Sequence, residues 1–375
     1  MKYKWDELVE RKSEWRMKVR FLRLKKKNGY QFYQIPSSSQ ISSWTRLFNH
    51  LLKNRKIPTS WKPVSQEYVQ SVLTNKNPMA YGHLEPCIFF NEMVGHHYFA
   101  IGMDQWGKHQ YIYHTGFQEK QRQKKFCDLG KCITSIEKTN QWSRNQLKHS
   151  FLEKGGRTND DMFACMFQLM VQCRIRIGSQ DEGYAPSMKK RTYGLRTLEK
   201  QHIEIGQKGE VTVRFIGKKG VENVSVIRDA LMVGVLKRLV GERRGKHEVL
   251  FQDEKTSRGI DYDKWREFLK ERGIEESKMM RTYYANLFYV QNWMKLRRQN
   301  QMIDRKNAKE SLVQIANALH HTPAILKKSY LSGELYAFSL EKEKSDRWLM
   351  ERMGMKAEKV MSDFFHSYCA FLKKR

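Results

Sequence analysis

The sequence contains no apolar run near the ~18 residues that mark a membrane-spanning helix, no terminal stretch laid out like a secretory leader, no internal repeat and no low-complexity tract. Helical membrane proteins, solenoids and disordered chains are thereby set aside. Cysteine is sparse. Cys87, Cys127, Cys132, Cys165, Cys173 and Cys369 form no CxxC pair, and three of them sit among apolar neighbours. Reduced thiols in an intracellular protein are therefore expected, and a zinc site is not. Acidic residues are a minority: 40 Asp and Glu face 70 Lys and Arg, a formal charge of +30. Such an excess calls for an anionic partner. Because the two signs are interspersed, it reads as a folded basic surface rather than a tail. Nucleic acid fits better than an anionic membrane, since neutralising many phosphates releases many counterions.

A chain of 375 residues with 40% hydrophobic and 12% aromatic content has material for two or three packed domains. Alternation at Val19–Leu24 and Tyr30–Ile35 around Asn28-Gly29 predicts a hairpin. A helix is expected over 40–53, and strands at Tyr98–Met103 and Gln110–His114. The highly charged segment Thr115–Lys125 reads as a hinge. Beyond it, Asn159-Asp160-Asp161 is expected to cap an apolar helix, followed by a three-stranded meander: His202–Ile205, Glu210–Ile216 and Glu222–Ile227 between glycine turns. Helices are expected near 228–240, 262–271, 282–296, 307–319 and 339–373. The fold class is α+β: a basic extension (1–16), a small β-rich domain (17–118) and a larger, mainly helical domain (119–375) carrying the meander.

Metal-free transfer of a phosphodiester needs a nucleophile, cations on the non-bridging oxygens, and an acid for the departing sugar oxygen. Candidates recur through the C-terminal two-thirds. Arg176 precedes Ile177-Gly178, Lys218 follows Gly217 in the meander turn, and Lys278-Met279-Met280-Arg281 opens a helix that also carries Asn286. His321-Thr322-Pro323 stands nine residues before Tyr330. Taken singly, each is an ordinary surface, turn or packing residue. Their order and settings carry the inference.

That order resembles the active site of type IB DNA topoisomerases, above all the small poxvirus-like and giant-virus-like members. Arg176 matches an R-x-G context, Thr192–Leu198 a T-x-G-L-x-T-L stretch, Phe215–Lys218 an F-x-G-K turn, Lys278–Tyr283 a K-x-x-R-T-Y segment, and His321–Pro323 an H-T-P segment. Arg55–Thr59 and Gly102–Tyr113 resemble N-terminal segments of the same enzymes, so the resemblance spans about 17–335. Gly178-Ser179, Lys219 and the run Lys189-Lys190-Arg191 depart from the family pattern without removing a catalytic group.

The resemblance implies that Tyr330 attacks the scissile phosphate, giving a 3′-phosphotyrosyl link and a free 5′-hydroxyl. Arg176 and Arg281 would hold the phosphate, His321 would donate to a non-bridging oxygen, and Lys218 would protonate the leaving oxygen. Religation would need neither ATP nor metal, no cofactor is expected, and supercoils of both signs would relax. Double-stranded DNA is the implied partner, gripped by a monomeric clamp. Gln110, Tyr111 and Tyr113 are expected to face it, with Lys278 and Asn286 supporting contacts near the cleavage site. By strand periodicity Tyr111 and Tyr113 share one face, opposite Gln110 and Ile112. A packed aromatic sheet face is the plain alternative for the tyrosines. The expected place of action is intracellular: for a viral member, the particle and a cytoplasmic replication site, or else the nucleus. The rival readings are a tyrosine recombinase, which would carry H-x-x-R where Lys278–Arg281 stands, and a non-catalytic duplex-binding protein.

Overall fold

The structure is a computed structural model that describes residues 20–26, 29–36, 44–54, 57–73, 78–90, 98–105, 107–178, 183–185, 190–207, 209–256 and 258–374. The expected extension at 1–16, Asn28 of the hairpin turn, Arg55-Lys56, Ser179 and Lys189 lie outside these residues. The chain divides into two compact units, 1–124 and 125–375; the sequence alone suggested a boundary at 118/119.

In the first unit, strands β1 (Arg20–Lys26), β2 (Gly29–Ile35), β3 (Lys62–Val64), β4 (Cys87–Phe90), β5 (Tyr98–Met103) and β6 (His109–Tyr113) form one sheet in the order β3-β2-β1-β4-β5-β6. The expected hairpin is present, with Lys26 paired to Gly29 and Arg20 to Ile35. Every residue of β4 and β5 is buried because both faces of the sheet are covered. Phe48 and Leu51 of helix α1 (Trp44–Asn54) join Leu22, Ile88 and Ile101 on one face. Val69 of α2 (Gln66–Val72) joins Phe21, Phe89 and Phe99 on the other. Strands wrapped on two sides lose the polar alternation that betrays a strand in sequence, which is why β4 was not expected.

The second unit is mostly helical around one large core. Thr115–Lys125, expected as the hinge between the domains, is helical: it opens a 32-residue helix, α3 (Thr115–Gln146), and the boundary between the two units falls within it. Helix α4 (Asn159–Cys173) is capped by Thr158 rather than by Asn159, in a reciprocal capping box with Asp161. After the short hairpin β7 (Gly183–Ala185) and β8 (Lys190–Thr192) comes the meander, β9 (Ile203–Ile205), β10 (Val211–Ile216) and β11 (Glu222–Ile227), in the order β11-β10-β9. Helices α5 (Ala230–Glu242), α6 (Tyr262–Glu271), α7 (Ser277–Arg298), α8 (Arg305–Ala318) and α9 (Pro323–Ser329) follow. The single helix expected over 339–373 is two, α11 (Lys342–Met350) and α12 (Ala357–Lys373), and a further short helix, α10 (Gly333–Ser339), precedes them. Ser332 caps α10 by accepting a bond from the Leu335 amide, and bends at 340–341 and 351–356 set the other boundaries. A further correction concerns cysteine. Cys127 of α3 and Cys369 of α12 form a disulfide with their Cα atoms 5.5 Å apart, while Cys87, Cys132, Cys165 and Cys173 are free and buried.

Candidate active site

Helix α4 ends at Arg174, whose left-handed backbone (φ 52°) turns the chain out of the helix. The chain then runs to Arg176 and Gly178, where it crosses the segment Tyr193–Arg196. The amides of Leu195 and Arg196 donate to the carbonyls of Arg176 (2.7 Å) and Ile177 (3.0 Å). At the crossing any side chain on Gly194 would bring a Cβ within 2.4 Å of the Gly178 Cα, and Gly178 itself has φ +98°. The R-x-G and T-x-G-L stretches are thus two halves of one backbone contact that only glycine permits. Tyr193 N donates to Ile216 O at 2.7 Å, which ties the crossing to the end of β10, the strand that leads to Lys218.

Arg281 lies in the second turn of α7 and is only 3% exposed. Its guanidinium donates to Arg174 O at 2.5 Å, to Leu319 O, and to His321 Nε2 at 2.9 Å. Its Nε is also buried and, among the described residues, has no hydrogen-bond partner. A buried donor left open in a polar site costs stability unless an acceptor arrives. Burial, and next the charge of Arg176, lower the Arg281 pKa to about 10, so the group stays cationic at neutral pH.

His321 sits between α8 and α9, on a chain turned by the left-handed His320 (φ 51°). The next two residues start α9: Thr322 accepts a bond from the Ile325 amide at 3.3 Å, and Pro323 occupies the first turn. The H-T-P segment is therefore a helix start, and α9 ends on Tyr330. His321 and Tyr330, at opposite ends of this short helix, stack with ring centroids 4.7 Å apart. Arg176 Nη2 lies 3.4 Å from each nitrogen of the His321 ring, and Arg281 Cζ is 5.7 Å from the Tyr330 ring centre. Burial first, then Arg281, Arg176 and His320, depress the His321 pKa to about 3. Because a guanidinium only donates, Nε2 facing Arg281 is the acceptor, which leaves the proton of the neutral ring on Nδ1.

Four of the five candidates, Arg176, Arg281, His321 and Tyr330, are thus brought together. Lys218 makes none of these contacts. It is exposed in the turn Lys218–Gly220 and joined to the others through the backbone links described above. Among the described residues, no group of three or more His, Cys, Asp or Glu side chains is placed to hold a metal ion.

The model of the eukaryotic DNA topoisomerase I catalytic core matches residues 114–353, a span that contains all five candidates. The chain is 31% identical over 253 residues to DNA topoisomerase 1B of Acanthamoeba polyphaga mimivirus, covering 63% of this chain and 71% of that protein. It is 26% identical over 241 residues to DNA topoisomerase 1 of rabbit fibroma virus, covering 64% and 71%. It is also 26% identical over 237 residues to DNA topoisomerase 1B of vaccinia virus (strain Copenhagen), covering 62% and 69%. The chain belongs to the type IB DNA topoisomerases.

For this topoisomerase, two supporting residues need separate treatment. Lys278 is exposed at the start of α7. Asn286 is corrected: it is no surface contact for DNA. It is fully buried, its Nδ2 donates to Thr282 O (2.7 Å) and Tyr330 O (2.9 Å), and its Oδ1 accepts from Ser332 N at 2.9 Å. Its amide is spent on holding the backbone that carries Tyr330.

In the first unit, β6 is an edge strand. Tyr111 and Tyr113 are half-buried and pack on Tyr98, with centroids 5.5 and 5.7 Å away, toward the Phe48 face. Ile112 packs on the opposite face, as the alternation requires. Gln110 is exposed and donates to Asp104 Oδ2 at 2.8 Å. The two tyrosines therefore contribute to packing while part of each ring remains accessible.

Two supporting residues escaped sequence reasoning. Lys125 Nζ donates to Ser329 O at 2.8 Å, beside Tyr330. Arg174 gives Arg281 its carbonyl, and its own guanidinium lies 4.9 Å from the Phe288 ring centre. Lys125 ended a polar run and carried no local signal. Arg174, two residues before Arg176, was visible but had no assigned part.

Proposed function

We propose that this topoisomerase relaxes positive and negative supercoils by transient nicking of one strand through Tyr330. The observation that carries the reading is the cluster in which Arg176 and Arg281 both reach a neutral His321 that stacks on Tyr330, with a buried Arg281 N–H that has no acceptor among the described residues. A non-bridging phosphate oxygen supplies that acceptor. Arg176 and Arg281 neutralise the phosphate, and His321 Nδ1–H donates to a non-bridging oxygen as charge builds. Tyr330 gives up its phenolic proton to water and attacks phosphorus. The bond to the 5′ oxygen breaks, and Lys218 protonates that oxygen. The 3′-phosphotyrosyl bond keeps the phosphodiester energy, so the 5′-hydroxyl reseals the strand by reversal, without ATP or metal.

Lys218 lies exposed in a hairpin turn, and DNA docking carries it to the leaving oxygen. Gln110, Tyr111 and Tyr113 read base edges, Lys278 holds a phosphate, and a monomer closes around the duplex as a clamp. The place of action is intracellular, within a viral particle or at a viral replication site. A Cys127–Cys369 disulfide suits the particle better than a reducing cytoplasm. The test is relaxation of positively and negatively supercoiled plasmid in EDTA without ATP. Both substrates should relax to completion, and a requirement for metal, ATP or paired recombination sites would refute the mechanism.

A further inference from the structure

The backbone carbonyls before and after the Tyr330 α-carbon are each held by a side chain from another helix. Tyr330 O accepts from Asn286 of α7, which is fully buried in the core. Ser329 O accepts from Lys125 of α3 at 2.8 Å. This second hold places a cation at the C-terminal end of α9, where carbonyls lack partners within the helix. Its anchorage differs from that of Asn286. Phe126 is the first buried residue of α3, so Lys125 stands at the edge of core packing. Its ammonium lies 4.4 Å from the Phe126 ring centre. That ring in turn stacks on Phe365 of α12, with centroids 5.8 Å apart and planes 4° from parallel. The position of Lys125 thus depends on how α12 is held on α3.

The contact between α3 and α12 has two parts. The apolar part ends at Phe365. A Cβ on Gly130 would lie 3.1 Å from Phe365 Cβ, so the helices approach closely there, and Phe365 is the last buried residue of α12. From His366 to Lys373 every residue is exposed or half-buried. One turn beyond Phe365, on the same face of the helix, Cys369 is bonded to Cys127. A covalent tie therefore takes over where burial stops, next to Phe126 in the chain and two residues after Lys125. Both of its cysteines are half-buried, within reach of an external thiolate. Cys87, Cys132, Cys165 and Cys173 are free and buried, so this is the one disulfide among the described residues.

We propose that Lys125 is a positioning residue for Tyr330 and that the Cys127–Cys369 disulfide is its reversible brace, so that cleavage responds to thiol redox state. This rests on the reading of Tyr330 as the nucleophile. A dithiol reductant supplies two electrons and two protons: the sulfur–sulfur bond breaks, two thiols form, and the reductant closes to its own disulfide. The last turns of α12 then lose their tie to α3, and Lys125 loses its fixed place on Ser329 O. The test is the rate of covalent adduct formation on supercoiled plasmid, with the air-oxidised full chain in excess, before and after dithiothreitol. Peptide mapping without reductant should show Cys127 linked to Cys369. Reduction should slow the parent at least threefold while duplex affinity stays within twofold, and reoxidation should restore the rate. The paired variant Cys127→Ser/Cys369→Ser and Lys125→Met should each show the slow rate, which dithiothreitol should leave unchanged. Reduction acts on the unmutated chain, so the test stands even where the serine pair folds poorly. Tyr330→Phe should form no adduct in either redox state; an adduct there refutes the nucleophile and this inference with it. The brace alone is overturned by absence of the linked peptide, by a parental rate indifferent to dithiothreitol, or by an undiminished response in Lys125→Met or in the serine pair.

Discussion

At the level of single residues, Lys218 and Arg281 have opposite surroundings and should fail in opposite ways. Lys218 is exposed in a turn, whereas Arg281 is buried against two carbonyls and His321. If Lys218 supplies the leaving-group proton, a substrate with sulfur at the 5′-bridging position needs little acid. Lys218→Ala should then cleave it at nearly the parent rate, while Arg281→Ala should not be rescued, because no leaving group replaces a clamp on non-bridging oxygens. Single-turnover cleavage of the two substrates measures this, and equal rescue of both variants would reverse the assignments. His321 makes a second prediction. The folded chain keeps it neutral down to about pH 3, whereas its ordinary value is 6.5. Between these values the unfolded chain binds a proton that the folded chain refuses, so acidification favours unfolding. The parent should lose stability between pH 6.5 and 4.5 relative to His321→Asn, as urea melts at the two pH values would reveal. A parallel decline in both proteins would mean that His321 is not held neutral. The same low value predicts that cleavage shows no titration step near pH 6.5 attributable to this ring.

At the level of elements, most of what positions the site was legible as motif and much less as structure. H-T-P reads from sequence as a family mark, and its physical content is a cap and a first-turn proline that start a helix seven residues long, Pro323–Ser329. The glycines at 178 and 194 were visible, but the crossing that requires both joins segments that local patterns do not connect. The meander was readable because alternation and glycine turns are local signals. Strand β4 and the long α3 were not, since one is buried on both faces and the other opens with a charged run resembling a linker. Asn286 shows the limit most plainly. Its position in α7 suggested DNA, whereas its burial makes it a brace for Tyr330. Asn286→Ala strands the Ser332 amide without an acceptor, at a cost of about 1–3 kcal/mol. Duplex affinity should stay within twofold of the parent while the cleavage rate falls at least tenfold and the melting temperature drops. Weakened binding with an unchanged rate would return Asn286 to the DNA surface.

For the whole molecule, the formal charge of +30 is the widest observation and the least specific. If several of these cations meet phosphates along a duplex, binding must weaken steeply with salt, by roughly 0.9 in log K per phosphate for each unit of log salt. A flat salt dependence would contradict an enclosing basic surface. Charge alone says nothing about chemistry, and a protein that only grips DNA would show the same slope. What separates the two is a covalent bond. Supercoiled plasmid is incubated with the chain, denatured abruptly and digested, and the protein is then examined for attached nucleotide. The parent should carry a nucleotide adduct on the peptide containing Tyr330, and Tyr330→Phe should carry none while binding duplex with parental affinity. An adduct that persists in Tyr330→Phe, or maps to another residue, would contradict the account at its centre.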